Sequence, residues 1–527
     1  MFKVLITDPL SELGIQKLLE APDVEVTQMP GLSPSDLLAV IGEYDALLVR
    51  SQTQVTAEVL AAGKRLKAVG RAGVGVDNID VNAATEAGVV VINAPDGNTI
   101  STAEHSFAML MAVSRNIPQA HKKLTEGIWD RKSFQGVELN GKILGVVGFG
   151  RIGTEVAKRA KAFNMQVLAY DPFLTEERAA KMGVTHATLD EIIAKADYIT
   201  VHTPLTKETR HLISSKEFAK MKNGVRIINC ARGGIIDEKA LYEAILTGKV
   251  AGAALDVFEV EPPVDNPLIG LPQVVVTPHL GASTVEAQEN VAIDVSEEIL
   301  KVLRGEPFKN AVNLPSIPAH VLEKIEPYFS LGERLGQFLA QITVGSIQEI
   351  TITYSGDLSE VDTAPLTRTV LKGVLSFRLG EGVNYVNAPL LAKTRDIAVL
   401  EQKSSLNRGF MNLLTLTIRT NLETKSVSGT LLNGYGARIV KIDDYGIDVA
   451  PEGYLLYIHH NDRPGVIGRV GTILGSNDVN IATMQVGRRD IGGDAIMMLT
   501  VDKPVSAELL DSLGELPEIK SVTQVEL

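Results

Sequence analysis

Short apolar runs punctuate the first 95 residues, in FKVLITD, VEVTQM, DALLVRS, LKAVGRA and GVVVINA. Between them, SELGIQKLLE and TAEVLAAG place apolar residues at helical spacing. Strands alternating with helices predict a parallel α/β sheet, because parallel neighbours need a crossover connection. From Thr102, TAEHSFAMLMAVSRNIPQAHKKLTEG breaks this rhythm and predicts one long helix bridging two units. A second series begins at Lys142 with KILGVVGFG, QVLAYDP, YITVHTP, RIINCAR, GAALDVF and VVVTPHL. Six such runs with crossover helices predict a complete doubly wound sheet. Another amphipathic helix is predicted from about Val285 to Leu303.

The texture changes near residue 315, where Pro315 and Pro318 mark a linker. Beyond it the pattern is mixed α+β. IQEITITYSG, RDIAVLE, NLLTLTIRT and ARIVKIDDYGIDV are predicted strands, and no catalytic motif appears up to about residue 450. From Gly453 to Leu527 the order is β-α-β-β-α-β, which predicts a separate small ferredoxin-like domain. A chain of 527 residues is too long for one core, so three or four domains are expected.

The charge balance narrows the partners. With 51 basic and 64 acidic residues the formal net charge is −13. Such a chain has no electrostatic footprint for nucleic acid or an anionic membrane. An anionic small substrate must therefore meet a local basic cluster. A lone cysteine, Cys230, excludes an intrachain disulfide framework and points to a reducing compartment. The start MFKVLITDPL has no signal-peptide pattern, and no apolar stretch approaches the roughly 18 residues of a membrane span. A cytoplasmic location is expected.

Candidate chemistry lies at strand ends. VVGFGRIG sets Gly148, Gly150 and Gly153 in G-x-G-x-x-G spacing between a strand and a helix. The first glycine permits a tight turn, the second admits a pyrophosphate to the backbone, and the third lets helix pack on strand. Asp171 ends the next strand, where a carboxylate accepts from ribose hydroxyls and so favours NAD over NADP. Capping of the turn before Pro172 is its other reading. Later strand ends supply Arg232, then Asp256, Glu259 and Glu261, then His279. A histidine paired with a carboxylate can take a hydroxyl proton. An arginine fork can hold a carboxylate and polarise a nascent carbonyl. Taken singly, Arg232 could be a surface ion-pair partner, Glu261 a cap and His279 a core residue. Their convergence on one crevice favours the catalytic reading. The N-terminal domain and the segment after it offer Arg50, Ser51, Arg71, Gly73, Val74, Gly75, Asn98, Ser101 and Glu104. Backbone N–H groups of Gly73 to Gly75 suit a carboxylate, and Arg50 with Arg131 could neutralise a second anionic group, phosphate or carboxylate. No metal site is indicated.

Through GFGRIG with Asp171, NCARGGIIDE, ALDVFEVEPP and TPHLGAST, residues 1 to 310 resemble the D-isomer-specific 2-hydroxyacid dehydrogenases. The resemblance implies that Arg232 binds the substrate carboxylate and carbonyl, Glu261 modulates the histidine, and His279 is the acid/base. It implies cofactor contacts at Arg151, Ile152, Thr203, Cys230, Ala231, Asp256, Gly281 and Ala282. It also implies a discontinuous substrate-binding domain, 1–98 with 283–315, around an NAD-binding domain, 99–282. IHHNDRPGVIGRVGTILGSNDVNIATMQVGR resembles a regulatory ACT domain, placed at 453–527. With an intervening domain of the allosteric substrate-binding type at 316–450, the whole chain resembles the family's long-form branch. Members of that branch oxidise 3-phospho-D-glycerate to 3-phosphohydroxypyruvate at the start of L-serine synthesis, usually as homotetramers. The resemblance implies a serine effector site at His460, Asp462 and Asn480. Asp462 could instead cap the helix that follows. A broader glyoxylate, hydroxypyruvate or D-lactate reductase and an NAD-sensing corepressor-like scaffold are the alternatives.

Overall fold

The computed structural model describes residues 1–315, 317–405 and 409–527. Strands β1 (Phe2–Ile6), β2 (Val24–Gln28), β3 (Ala46–Val49), β4 (Ala68–Arg71) and β5 (Val90–Asn93) form a parallel sheet in the order β2-β1-β3-β4-β5. β3 is buried at every position, as its unbroken apolar sequence ALLV requires when helices cover both faces. The helix Val285–Arg304 returns to this sheet and buries Val291, Val295 and Ile299 with Val4, Ile6 and Ile92. Thr284 caps its start by accepting from Ala287 N, and Gly305 ends it.

The second sheet contains β6 (Ile143–Val147), β7 (Gln166–Tyr170), β8 (Thr185–His186), β9 (Tyr198–Val201), β10 (Val225–Asn229), β11 (Val250–Leu255) and β12 (Val274–Val276). Its order is β12-β11-β10-β9-β6-β7-β8. The chain direction across the sheet reverses between β6 and β9, so a ligand crevice opens beyond their C-terminal ends. β8 was not among the predicted strands; its two residues are both exposed and leave no apolar signal.

The long helix predicted from Thr102 is two helices, Thr99–Arg115 and Ile117–Thr125, with left-handed Asn116 (φ 52°) between them. Pro118 explains the break, since its ring cannot fit against the Ser114 carbonyl in a continuing helix. That carbonyl accepts from Val137 N instead.

In the third unit, strands 347–356, 398–404, 412–420, 424–432, 436–442 and 445–449 form one mixed sheet. Helices Phe329–Ile342 and Ala364–Leu379 cover it through Leu335, Phe338, Leu339, Val370 and Val374. ARIVKIDDYGIDV was expected as a single strand but is a hairpin, pairing Ile442 with Tyr445 across Asp443 and Asp444. TKSVSGTLL is a strand whose polar residues concealed it.

The last sheet orders 481–488, 494–501, 454–461 and 519–526, with helices Val466–Ser476 and Ala507–Gly514 on one face: the ferredoxin-like arrangement. Its other face does not stand apart as expected. Leu455, Tyr457, Ile496, Met498 and Val525 share one core with the third unit. Among the described residues, no helix is long and apolar enough to cross a membrane.

Candidate active site

Gly148 follows β6 with φ 93°, and a Cβ there would stand 2.6 Å from the His202 carbonyl carbon and oxygen. Only glycine combines that backbone with that approach. Gly153 is buried in the helix Arg151–Ala162, and Gly150 opens onto empty space. The loop is therefore closed behind and free in front, at a helix N-terminus suited to a phosphate group. Thr203 Oγ1, at the end of β9, and Asn98 Oδ1 are buried without hydrogen-bond partners. Unpaired buried polar atoms are costly, and a bound dinucleotide and substrate would satisfy them. Asp171 accepts from Phe149 N and Phe173 N, both at 2.9 Å, so it shapes both flanking turns with oxygen lone pairs to spare. These residues fit an NAD-type cofactor.

Other expected contacts sit differently. Ile152 and Ala231 are half-buried against the sheet's cores, and Ala282 is half-buried after Gly281. Arg151 is ion-paired with Asp96, linking the nucleotide loop to the first sheet. Cys230 is buried, and burial, with Asp256 nearby, raises its thiol pKa, so it is an inert wall. Asp256, also expected at the cofactor, has no solvent exposure. Its fully buried carboxylate accepts from Thr277 Oγ1 (2.6 Å), Leu280 N (2.7 Å) and Gly281 N (2.8 Å) and so organises the loop after β12.

That loop presents His279, whose backbone is left-handed at φ 54°. His279 Nδ1 lies 2.8 Å from Glu261 Oε2, while Glu261 Oε1 accepts from Phe258 N at 3.1 Å. Burial works to raise the Glu261 pKa, but the His279 and Phe258 hydrogen bonds hold it below the usual carboxylate range. The imidazole thus has one nitrogen fixed on an anion and the other, Nε2, available. Glu259 turns elsewhere, pairing with His211 at 3.1 Å.

Arg232 crosses the crevice. Its Nε donates to Asp77 at 3.1 Å and one terminal nitrogen donates to the Ala231 carbonyl at 2.7 Å. Asn229, which sequence reasoning missed, holds this turn by accepting from Ala231 N and donating to Arg232 O. A Cβ on Gly75 would collide with the Arg232 guanidinium, so the Gly73-Val74-Gly75 loop and Arg232 meet directly. Arg71, behind Gly73, is half-buried. Burial first, then repulsion from Arg232 and Arg50, pulls its pKa down to about 10. Arg50, Arg71 and Arg232 therefore form a cationic cluster in an acidic protein, and an anion would relieve their repulsion. Buried Asp8 holds the Arg50 loop by accepting from Arg50 N, Gln52 N and Thr53 N. Ser51 is exposed on that loop.

Three more of the expected residues lie outside the cluster. Ser101 bonds Thr284 Oγ1 at 2.7 Å, Glu104 pairs with Arg159 at 3.1 Å, and Arg131 is exposed on the segment before β6. Sequence reasoning also missed His105, which reaches Asp256 and Thr277 from the helix Thr99–Arg115. Its only signal was its place in a helix next to the glycine loop.

Among the expected effector residues, Asp462 accepts from Arg488 (3.1 Å) and Gly492 N (3.3 Å). Gly465, not Asp462, caps the helix Val466–Ser476. Asn480 Nδ2 donates to Asp502 at 2.8 Å. His460 is buried, with Nε2 unpartnered.

Comparison with known proteins agrees with this architecture. The family model of the D-isomer specific 2-hydroxyacid dehydrogenase NAD binding domain matches residues 107–281. The D-3-phosphoglycerate dehydrogenase intervening domain matches 324–443, and the ACT domain 454–518. A D-3-phosphoglycerate dehydrogenase of Bacillus subtilis (strain 168) is 50% identical over 527 residues, covering 100% of both chains. Its counterpart in Methanocaldococcus jannaschii is 48% identical, again over 100% of both. Among solved structures, a glyoxylate reductase from Paecilomyes thermophila aligns with TM-score 0.55 and 32% identity, covering 59% of this chain and 98% of its own. A D-lactate dehydrogenase from Aquifex aeolicus, complexed with NAD and lactic acid, aligns with TM-score 0.52 and 29% identity over 60% of this chain and 100% of its own.

Proposed function

The chain belongs to the D-3-phosphoglycerate dehydrogenase family, and on that premise we propose that it oxidises 3-phospho-D-glycerate to 3-phosphohydroxypyruvate with NAD, opening L-serine biosynthesis. The observation that supports this most is the 2.8 Å His279–Glu261 pair facing Arg232 across a glycine-rich crevice. Gly148, Gly150, Arg151, Ile152, Gly153, Asp171, Thr203, Cys230, Ala231, Gly281 and Ala282 line the place for the cofactor. When bound, NAD supplies the acceptor for the hydride leaving the substrate's hydroxyl-bearing carbon.

His279 Nε2 takes the hydroxyl proton as the carbonyl forms, and returns it in the reverse reaction. Glu261 fixes the tautomer through Nδ1 and stabilises the resulting imidazolium. Arg232 and the N–H groups of Gly73 to Gly75 hold the substrate carboxylate, and Arg232 polarises the nascent carbonyl. Asn98, whose buried Oδ1 has no hydrogen-bond partner, helps orient the hydroxyl. Arg50, Ser51 and Arg71 face the phosphate. The three-arginine cluster favours a doubly anionic acid over lactate or glyoxylate.

A substrate panel followed at the NADH absorbance tests this reading. 3-Phospho-D-glycerate should exceed D-lactate and, in reverse, 3-phosphohydroxypyruvate should exceed glyoxylate. Equal kcat/KM across the panel would replace the reading with that of a general reductase. L-serine is the proposed effector, at His460, Asp462 and Asn480, in a homotetramer located in the cytoplasm. Titration of L-serine into the assay and measurement of mass in solution test these parts.

A further inference from the structure

The backbone N–H groups from His279 to Gly281 all end on Asp256: His279 N on its carbonyl at 2.9 Å, Leu280 N and Gly281 N on its carboxylate. Asp256 has no solvent exposure, so its charge depends on donors from the protein. Besides those N–H groups, two side chains reach it. Thr277 Oγ1 donates at 2.6 Å, and His105 Nε2 stands 3.2 Å from Oδ1 and 3.1 Å from Thr277 Oγ1. Burial pushes the Asp256 pKa up, and His105 is the strongest of the groups that pull it back below the usual carboxylate range.

His105 comes from the helix Thr99–Arg115, which also carries Ser101 and Thr102. Thr102 Oγ1 donates to Gly281 O at 3.2 Å, and Ser101 bonds Thr284 at 2.7 Å. Ser101 and His105 are four residues apart, on one face of that helix. The helix therefore grips the acid/base loop along its length, at 277, 281 and 284. His105 is the contact that reaches the buried charge at its centre.

We propose that His105 is the positioning residue of the acid/base loop: through Asp256 it holds residues 279–281 in the conformation that presents His279 to Glu261 and to the substrate hydroxyl. This deepens the proposed function and rests on His279 being the acid/base. Without His105, Asp256 keeps Thr277 Oγ1, Leu280 N and Gly281 N but loses the side chain that ties it to the helix Thr99–Arg115, so the loop it organises is free to shift. A displacement of about 1 Å at the reacting nitrogen is enough to cost on the order of 10²-fold in rate.

The test compares the wild-type enzyme with His105→Leu, which fills the space without a donor, and His105→Gln, which keeps one. The readouts are kcat and KM with 3-phospho-D-glycerate, the NADH dissociation constant by fluorescence, and the thermal midpoint. In His105→Leu, kcat should fall about 30- to 100-fold with KM and NADH affinity nearly unchanged, while His105→Gln recovers most of the rate. The proposal is overturned if His105→Leu keeps a near-wild-type kcat, if NADH affinity falls in step with kcat, or if His105→Gln is as impaired as His105→Leu. Should the leucine variant fail to fold, the glutamine variant decides alone: near-wild-type kcat supports the proposal, and a Leu-sized loss with a normal thermal midpoint overturns it. If the wild-type enzyme prefers another 2-hydroxy acid, the substrate reading fails, and the same comparison is run on that acid.

Discussion

His279 adopts a left-handed backbone (φ 54°) that a non-glycine residue adopts at some cost, and it does so beside Glu261 at 2.8 Å. An imidazole held this way can move a proton only through Nε2, so its removal should act on turnover. His279→Ala is expected to lower kcat by about 10²- to 10⁴-fold with NADH affinity retained, measured by steady-state rates and NADH fluorescence. Glu261 is charged throughout any practical assay range, because its hydrogen bonds keep its pKa below the usual one. Glu261→Gln keeps the shape and removes the charge. Hydrogen bonds to charged groups contribute about 1.5–3 kcal/mol, so kcat for oxidation should drop roughly 10- to 100-fold. An unchanged kcat would show that His279 works without its partner.

At the scale of elements, the loop after β12 and the helix Thr99–Arg115 are joined by one buried carboxylate. The folded-state pKa of Asp256 is depressed, so its stabilisation is fully present above the ordinary carboxylate value, about 4. It is lost as pH falls through that value toward the folded one. Asp256→Asn should therefore lower the thermal midpoint at neutral pH, and the gap to wild type should narrow as pH falls below the ordinary carboxylate value, about 4. A constant gap would mean that the charge does not carry the effect. Much of this site was legible in sequence because strand ends converge on a crevice: Gly148, Arg232, Glu261 and His279 each follow an apolar run. What escaped was the support behind them. Asn229 and His105 act through hydrogen bonds to residues near and far in the chain, and no periodicity encodes such pairings. The same limit explains the fold. Strands with unbroken apolar runs were found, while Thr185–His186 and Thr424–Leu432 lacked them. The helix break at Asn116 was signalled by Pro118, but a continuous apolar face across it concealed the boundary.

Across the whole molecule, shared packing connects the proposed effector residues with the first sheet. The last sheet and the third unit have a common core, which includes Leu455, Met498 and Val525. The third unit in turn touches the first sheet, where Asn384 Nδ2 donates to Gly88 O at 2.9 Å and Val386 enters the core of β1, β3 and β5. Gly88 has φ 73°, and a Cβ there would clash with Asn384, so this seat is specific. Serine bound near Asp462 and Asn480 would have to compete with Arg488 and Asp502 for those side chains, changing the last sheet's edge. Transmitted to the first sheet, that change would move Arg50 and Arg71 relative to Arg232 and so alter the cationic cluster. Coupling of this kind is typically about 1–3 kcal/mol, comparable to a few seat contacts. Asn384→Ala should therefore leave serine binding measurable by calorimetry while reducing the maximal inhibition. Asp462→Ala should weaken serine binding itself. If Asn384→Ala is inhibited as completely as wild type, the signal does not pass through the Gly88 seat.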